Sequence, residues 1–299
     1  MTEDMTRKMK KIAIIASIVV GVIIVGAVIF GVLNALVGKG TWSTGWNDYR
    51  YDERGFSVGD ATLPADTLTE IDVDWIDGAV LIVPCQDAYP SLTEKTADGA
   101  ELPDSARLRW RVSEDGSKLT VKYRKSSWFF GFGNQNRNKT LILRIPERML
   151  PQIKLMDVEC VSGNIVLDNL QVAALDLENM SGNIRIRNCA VGRLSIESVS
   201  GDVEAACEVR ERLEIEIVSG DVLFESATCP PSLEIDSTDG DVTVQLPTQA
   251  DFRLTWETVS GRISSDFSHQ VNGNIYTVGN GSATFDVETV SGDLTLSKP

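Results

Sequence analysis

The sequence predicts an all-β chain, a parallel β-helix (β-solenoid) behind one N-terminal transmembrane helix. Three observations carry this reading. A Ser-Gly-Asn or Ser-Gly-Asp type of turn recurs at intervals of 19, 19 and 19 residues, then 20, 21 and 31. Apolar and polar residues alternate on both sides of each turn. Near the start, residues 12–37 carry no charge at all.

The anchor comes first in the chain. Arg7, Lys8, Lys10 and Lys11 precede the uncharged run, whose polar side chains are Ser17 and Asn34. The run is longer than the apolar core of a cleaved signal peptide and long enough to cross a bilayer as a helix. The flanking positive charge puts residues 1–11 in the cytoplasm and everything after the span outside it. A signal peptide cut near Ala35 is the alternative. Residues 38–60 read as a polar tether. Formal net charge is −15 over 299 residues. That balance excludes nucleic acid as a partner, because a phosphate backbone is held by basic surface.

Eight copies of the repeat align on Gly78, Gly163, Gly182, Gly201, Gly220, Gly240, Gly261 and Gly292. Apolar residues stand seven, five and two positions before the glycine, and two and four after it. The Gly220 copy, for example, has Leu213, Ile215, Val218, Val222 and Phe224, and only Thr238 and Ser265 interrupt the pattern in the eight copies. A period of two on both sides of a glycine is strand, turn, strand. Glycine supplies a backbone conformation that a side chain opposes. A repeat of ~19 residues cannot bury its own apolar face, but stacked repeats bury one another's. Residues 153–299 therefore read as regular solenoid, with the aligned apolar positions as its core. Residues 61–152 break the period and read as an irregular first part or cap. Within them, residues 108–112 and 119–123 alternate around Glu114-Asp115-Gly116, a hairpin signal, and residues 140–145 form a strand stopped by Pro146.

The anchor, the strand pair around Asp77-Gly78, the hairpin, the Leu-Ile-Leu-Arg-Ile-Pro strand and the serial Val-Ser-Gly-Asp turns together resemble a bacterial domain-of-unknown-function family of β-strand repeats, the "putative adhesin" family. The resemblance covers residues 61–299. It implies a right-handed coil and a bacterial plasma-membrane protein whose bulk is extracytoplasmic. Membrane-anchored members resemble accessory proteins of Gram-positive envelope-stress operons. The family brings no catalytic residues with it, and its label is a fold-level analogy.

No phosphate loop, dinucleotide fingerprint or zinc spacing appears, so no cofactor is expected. The single histidine, His269, reads as a solvated loop residue. Five cysteines (Cys85, Cys160, Cys189, Cys207, Cys229) fit no metal motif and read as small core residues. A polysaccharide lyase or hydrolase is the enzymatic alternative, and it needs carboxylates clustered in a groove. Here the acids are spread along the repeat.

Two features remain as candidate sites. Four residues before each glycine stand Asp74, Glu159, Glu178, Glu197, Glu216, Asp236, Glu257 and Glu288. Alternation turns them outward, and the six from Glu159 to Glu257 are expected to form a ladder able to attract cations or a basic partner. Three residues after the glycines only one arginine, Arg185, occurs, so no basic column at that offset cancels the charge. A purely solubilising face is the alternative. The second feature is Trp128, Phe129, Phe130 and Phe132 in a setting of Lys122, Arg124, Lys125, Arg137 and Lys139. It reads either as a cap over the solenoid end or as a loop that inserts into a membrane surface or partner pocket. The expected partners are the plasma membrane, through the anchor, and an envelope protein or polymer.

Overall fold

A computed structural model describes residues 51–126 and 138–299. The expected membrane span and the aromatic residues Trp128, Phe129, Phe130 and Phe132 lie outside the described residues. Among those described, no helix is long and apolar enough to cross a membrane. The described residues form two compact units, 51–182 and 183–299, and both are built from β-strands in the manner of a solenoid.

The unit 51–182 contains β1 (Ser57–Val58), β2 (Ala61–Thr62), β3 (Glu70–Cys85), β4 (Ser91–Thr96), β5 (Arg109–Val112), β6 (Lys118–Lys122), β7 (Lys139–Pro146), β8 (Leu155–Asp168) and β9 (Gln171–Asn179). Strand β3 is the hub. Its first half pairs in parallel with β6, its second half with β7, and both halves pair in parallel with β8. Beyond β6 and β7 the pairing turns antiparallel, β6 to β5 to β1 and β7 to β4 to β2. The expected hairpin is therefore β5–β6. The last residues read as tether are laid on this unit, with the Tyr51 hydroxyl donating to the Arg124 carbonyl at 2.7 Å.

The unit 183–299 contains β10 (Ile184–Ser200), β11 (Val203–Ser219), β12 (Val222–Glu225), β13 (Ser232–Asp239), β14 (Val242–Gln245), β15 (Phe252–Ser260), β16 (Ile263–Ser265), β17 (His269–Asn272), β18 (Ile275–Val278), β19 (Ala283–Ser291) and β20 (Leu294–Ser297). Strands β10 and β11 pair in parallel, and β11 is followed by β13, then β19, then β15. The companion row runs β11, β12, β14, β20, β16. Chain order is broken once: the last coil is inserted between the two coils that precede it. The antiparallel hairpin β17–β18 covers the other edge of β15.

The core differs from the sequence expectation at one position of the repeat. Residues seven and five before the glycine are buried, as in Leu213 and Ile215. Two before it, Val199, Val218, Thr238 and Val290 are only half-buried, and the residue three before is the buried one: Ser198, Ile217, Ser237 and Thr289. The strand runs straight through to the turn, so strict alternation carries odd-numbered offsets inward and even ones outward. The buried polar side chain has a local use. Thr289 Oγ1 donates toward the Gly292 carbonyl at 3.4 Å, and Asn179 Nδ2 donates to the carbonyls of Gly182 and Gly163 at 2.7 and 3.0 Å.

The residue after the glycine stitches neighbouring coils, through an aspartate or asparagine side chain. Asn183 Oδ1 accepts the N–H of Asp202 at 3.0 Å, Asp202 that of Asp221 at 3.1 Å, Asp221 that of Asp241 at 2.9 Å, Asp241 that of Asp293 at 2.8 Å, and Asp293 that of Arg262 at 2.8 Å. Cys160, Cys189 and Cys207 are buried, and Cys85 and Cys229 are half-buried.

Candidate functional site

The outward acids meet in register, because equivalent positions of parallel strands are direct neighbours about 4.8 Å apart. In the unit 51–182 the row is Asp74, Glu159, Glu178, beside a second row of Asp72, Asp157 and Asp176. In the unit 183–299 it is Glu197, Glu216, Asp236, Glu288, Glu257, beside Glu214, Glu234 and Asp286. Glu288 thus stands between Asp236 and Glu257, which the sequence placed as neighbours. The insertion of β19 is the reason. The half-buried residues two before the glycine complete this outer face, so a column of valines (Val199, Val218, Val290, Val259) with one threonine runs beside the acids.

Burial and mutual repulsion raise the pKa of several of these carboxyls. Burial, then Glu234, Glu216 and Asp286, push Asp236 up to about 7. Burial, then Asp236, Asp286 and Glu257, push Glu288 up to about 7. Asp157 rises to about 6 for the same causes, with Asp72 and Asp176 as the neighbours and Lys118 and Lys122 opposing. Each folded value lies above the ordinary carboxylate value, so folding takes up protons as pH falls. The stabilising contribution is complete below about pH 4 and is lost as pH rises through the range of about 6 to 7. Melting temperature is therefore expected to rise by several degrees between pH 8 and pH 5.5, the equivalent of about 1–2 kcal/mol once solvent screening is allowed for. Asp236→Asn should flatten that slope. A melting temperature independent of pH would contradict the picture of repelling carboxylates.

Basic residues do limit the rows, at positions outside the glycine-centred copies. Lys118 and Lys122 are the register partners of Glu70 and Asp74 on β6. Lys118 Nζ lies 2.9 Å from Asp72, and Lys122 pairs with Asp74 and, at 3.9 Å, with Asp72. The signal was present: Lys118-Leu119-Thr120-Val121-Lys122 is the first strand of a repeat copy with lysine in place of acid. Arg212 bridges Glu214 and Glu234 at 3.0 and 2.6 Å. Among the described residues no three carboxylate, imidazole or thiol side chains converge to a chelating set.

Two of the basic residues read around the aromatic residues, Lys139 and Arg124, are internal, whereas Lys125 is exposed. Lys139 is 1% exposed and Arg124 is 2% exposed. Lys139 Nζ donates to Glu94 Oε2 at 2.7 Å, the Ala106 carbonyl at 2.7 Å and the Tyr123 carbonyl at 2.5 Å. It also lies over the rings of Tyr123 and Trp75, 4.2 and 5.0 Å from their centres. Burial lowers its pKa to about 8, with Glu94 opposing the fall. Glu94 in turn accepts the Leu108 N–H at 3.0 Å. Nothing in local sequence marks Glu94 as a partner, since 45 residues separate it from Lys139. His269 Nδ1 lies 2.8 Å from the Phe267 carbonyl, and its ring leans on Tyr276.

A family model described as Toastrack DUF4097 matches residues 92–297. The chain belongs to this Toastrack family. Solved structures similar to this Toastrack chain include a "putative cell adhesion protein" from Clostridium sporogenes, at 11% identity and a TM-score of 0.38, covering 82% of this chain and 100% of that one. A "putative adhesin" from Bacteroides fragilis has 13% identity and a TM-score of 0.37, covering 82% and 98%. One from Parabacteroides distasonis has 12% identity and a TM-score of 0.37, with the same coverage. No curated protein matches the Toastrack chain.

Proposed function

We propose that this Toastrack protein is a non-enzymatic, adhesin-like binding module of the bacterial cell envelope. Residues 12–37 span the plasma membrane, and the solenoid, coiled in the right-handed sense, stands outside with its acidic face toward a basic envelope protein, a polymer or divalent cations. A role in the envelope-stress response follows from the same resemblance. The observation that carries the reading is the register-paired carboxylate row beside a valine column. Charge that costs stability at neutral pH is relieved when a cationic ligand covers it. The acids recur coil after coil instead of converging on a groove, which favours binding over hydrolysis. Cations would be held by the row's field and not by a chelate.

The test uses the full chain in lipid nanodiscs. Its melting temperature is expected to rise by several degrees in millimolar calcium or magnesium relative to sodium of equal ionic strength. Immobilised polylysine is expected to retain the chain. The triple variant Glu216→Gln, Asp236→Asn, Glu288→Gln should lose both effects while melting higher in sodium alone. Equal melting in both salts, with no retention on polylysine, would leave the face a solubilising surface.

A further inference from the structure

Strands β19 and β20 fill a slot that the rest of the unit 183–299 leaves between its coils. Strand β19 has parallel partners on both sides, β13 and β15, and β20 has β14 and β16. Four residues, Gly279 to Ser282, lead into the slot from β18. They pass around the start of β15, where Val278 and Ala283 both face Phe252. Asp251 holds this connection closed. Its Oδ1 accepts the N–H groups of Asn280 at 3.0 Å and Ser282 at 2.9 Å, and its Oδ2 accepts Asn280 Nδ2 at 3.3 Å. The Asp251 carbonyl accepts the Ser282 hydroxyl at 3.1 Å.

We propose that the slot is a strand-acceptor site and that the partner it fits is a second copy of this chain, which donates its own residues 283–297 in a strand-exchanged dimer. The occupant follows from the register. Phe285 and Val287 must enter the core between Leu233, Ile235 and Leu254, Trp256, and Leu294 and Leu296 between Val242, Val244 and Ile263, Ser265. The segment that meets all these partners is the one this chain carries. Donated by another copy, it remakes every ladder bond and every core contact. The two states then differ only at residues 279–282, which when extended reach about 14 Å. Gly279 and Gly281, with φ of +65° and +75°, give the connection a tight turn in the closed form, and the Asp251 bonds are what the exchanged form gives up. Short connections of this kind are where exchange is governed.

The experiment refolds the full chain from urea at high concentration in detergent and measures mass by light scattering. Asp251→Ala is expected to raise the dimer fraction about tenfold, as loss of charge-assisted bonds from the closed form implies. Deleting Asn280 and Gly281 should make the dimer predominate, because the shortened connection cannot round β15. Glu234 and Asp286 are register partners, so a mixture of Glu234→Cys chains and Asp286→Cys chains reports exchange directly. An interchain 234–286 disulfide, located by peptide mapping, is the expected product, and the chain with residue 251 unchanged should give it at a lower yield. Folded chains that remain monomeric throughout, or dimers without that interchain link, would overturn the proposal.

Discussion

Replacing Gly220 by valine is expected to cost roughly 3 kcal/mol or more and to shift the urea midpoint of the full chain accordingly. Two effects add. The backbone has φ +135°, where side chains are rarely tolerated. A Cβ at this position would also collide with the carbonyl oxygen and carbon of Gly201 in the coil beneath. The glycines stack backbone on backbone, so relief requires the coils to part and the Asp202–Asp221 bond to break. Gly273 gives the cost of a positive φ in the milder left-handed helical region without crowding. It too has a positive φ, +66°, but a Cβ there meets nothing within 4 Å. Gly273→Val should therefore cost only about 1 kcal/mol. Equal losses at the two sites would assign the whole effect to φ and remove the stacking argument.

Lys139→Met is expected to destabilise the chain by about 3 kcal/mol, because it takes from the buried Glu94 its closer and fully buried cation. The Glu94 side chain is 5% exposed and keeps the Leu108 N–H and a longer ion pair, 3.8 Å, to the half-exposed Arg107, which offset the loss only in part. Two main-chain carbonyls, of Ala106 and Tyr123, would also lose their donor. The double variant Lys139→Met, Glu94→Leu should recover a good part of the loss, since removing both members of a buried pair is far milder than removing one. Thermal unfolding of the three variants closes the cycle. If the double variant is as unstable as the single one, the carbonyl donors and not the ion pair account for the site.

The repeat, its strands and its turns were legible from sequence because period-two alternation and a glycine at fixed spacing leave little freedom. The departures have separate causes. The apolar residue two before the glycine was grouped with the core because valine there looks like valine elsewhere. The spacing of three from its predecessor was the contrary signal, since a straight strand cannot put both on one face. The place of Glu288 is not legible in the repeat because register among parallel strands is long-range: the apolar spacing is shared by every copy, and the order of the coils is set by the connections between them. Lys118 and Lys122 were missed because β6 lacks the glycine used for alignment. Glu94 and Lys139 come together only through the pairing of β4 with β7.

The ladder from Asn183 to Arg262 has a grammar. Each rung accepts a hydrogen bond from the backbone N–H of the next coil, whose own side chain accepts in turn, so the sequence of donors and acceptors has one direction. Arginine has no acceptor in its side chain. At Arg262 the offer ends: a coil added beyond it would present an N–H with no oxygen to receive it. An assembly of near-identical bricks must stop somewhere, and here the stop is written twice: in the turn where a guanidinium stands in the place of a carboxylate, and in the hairpin laid across the outer edge of β15.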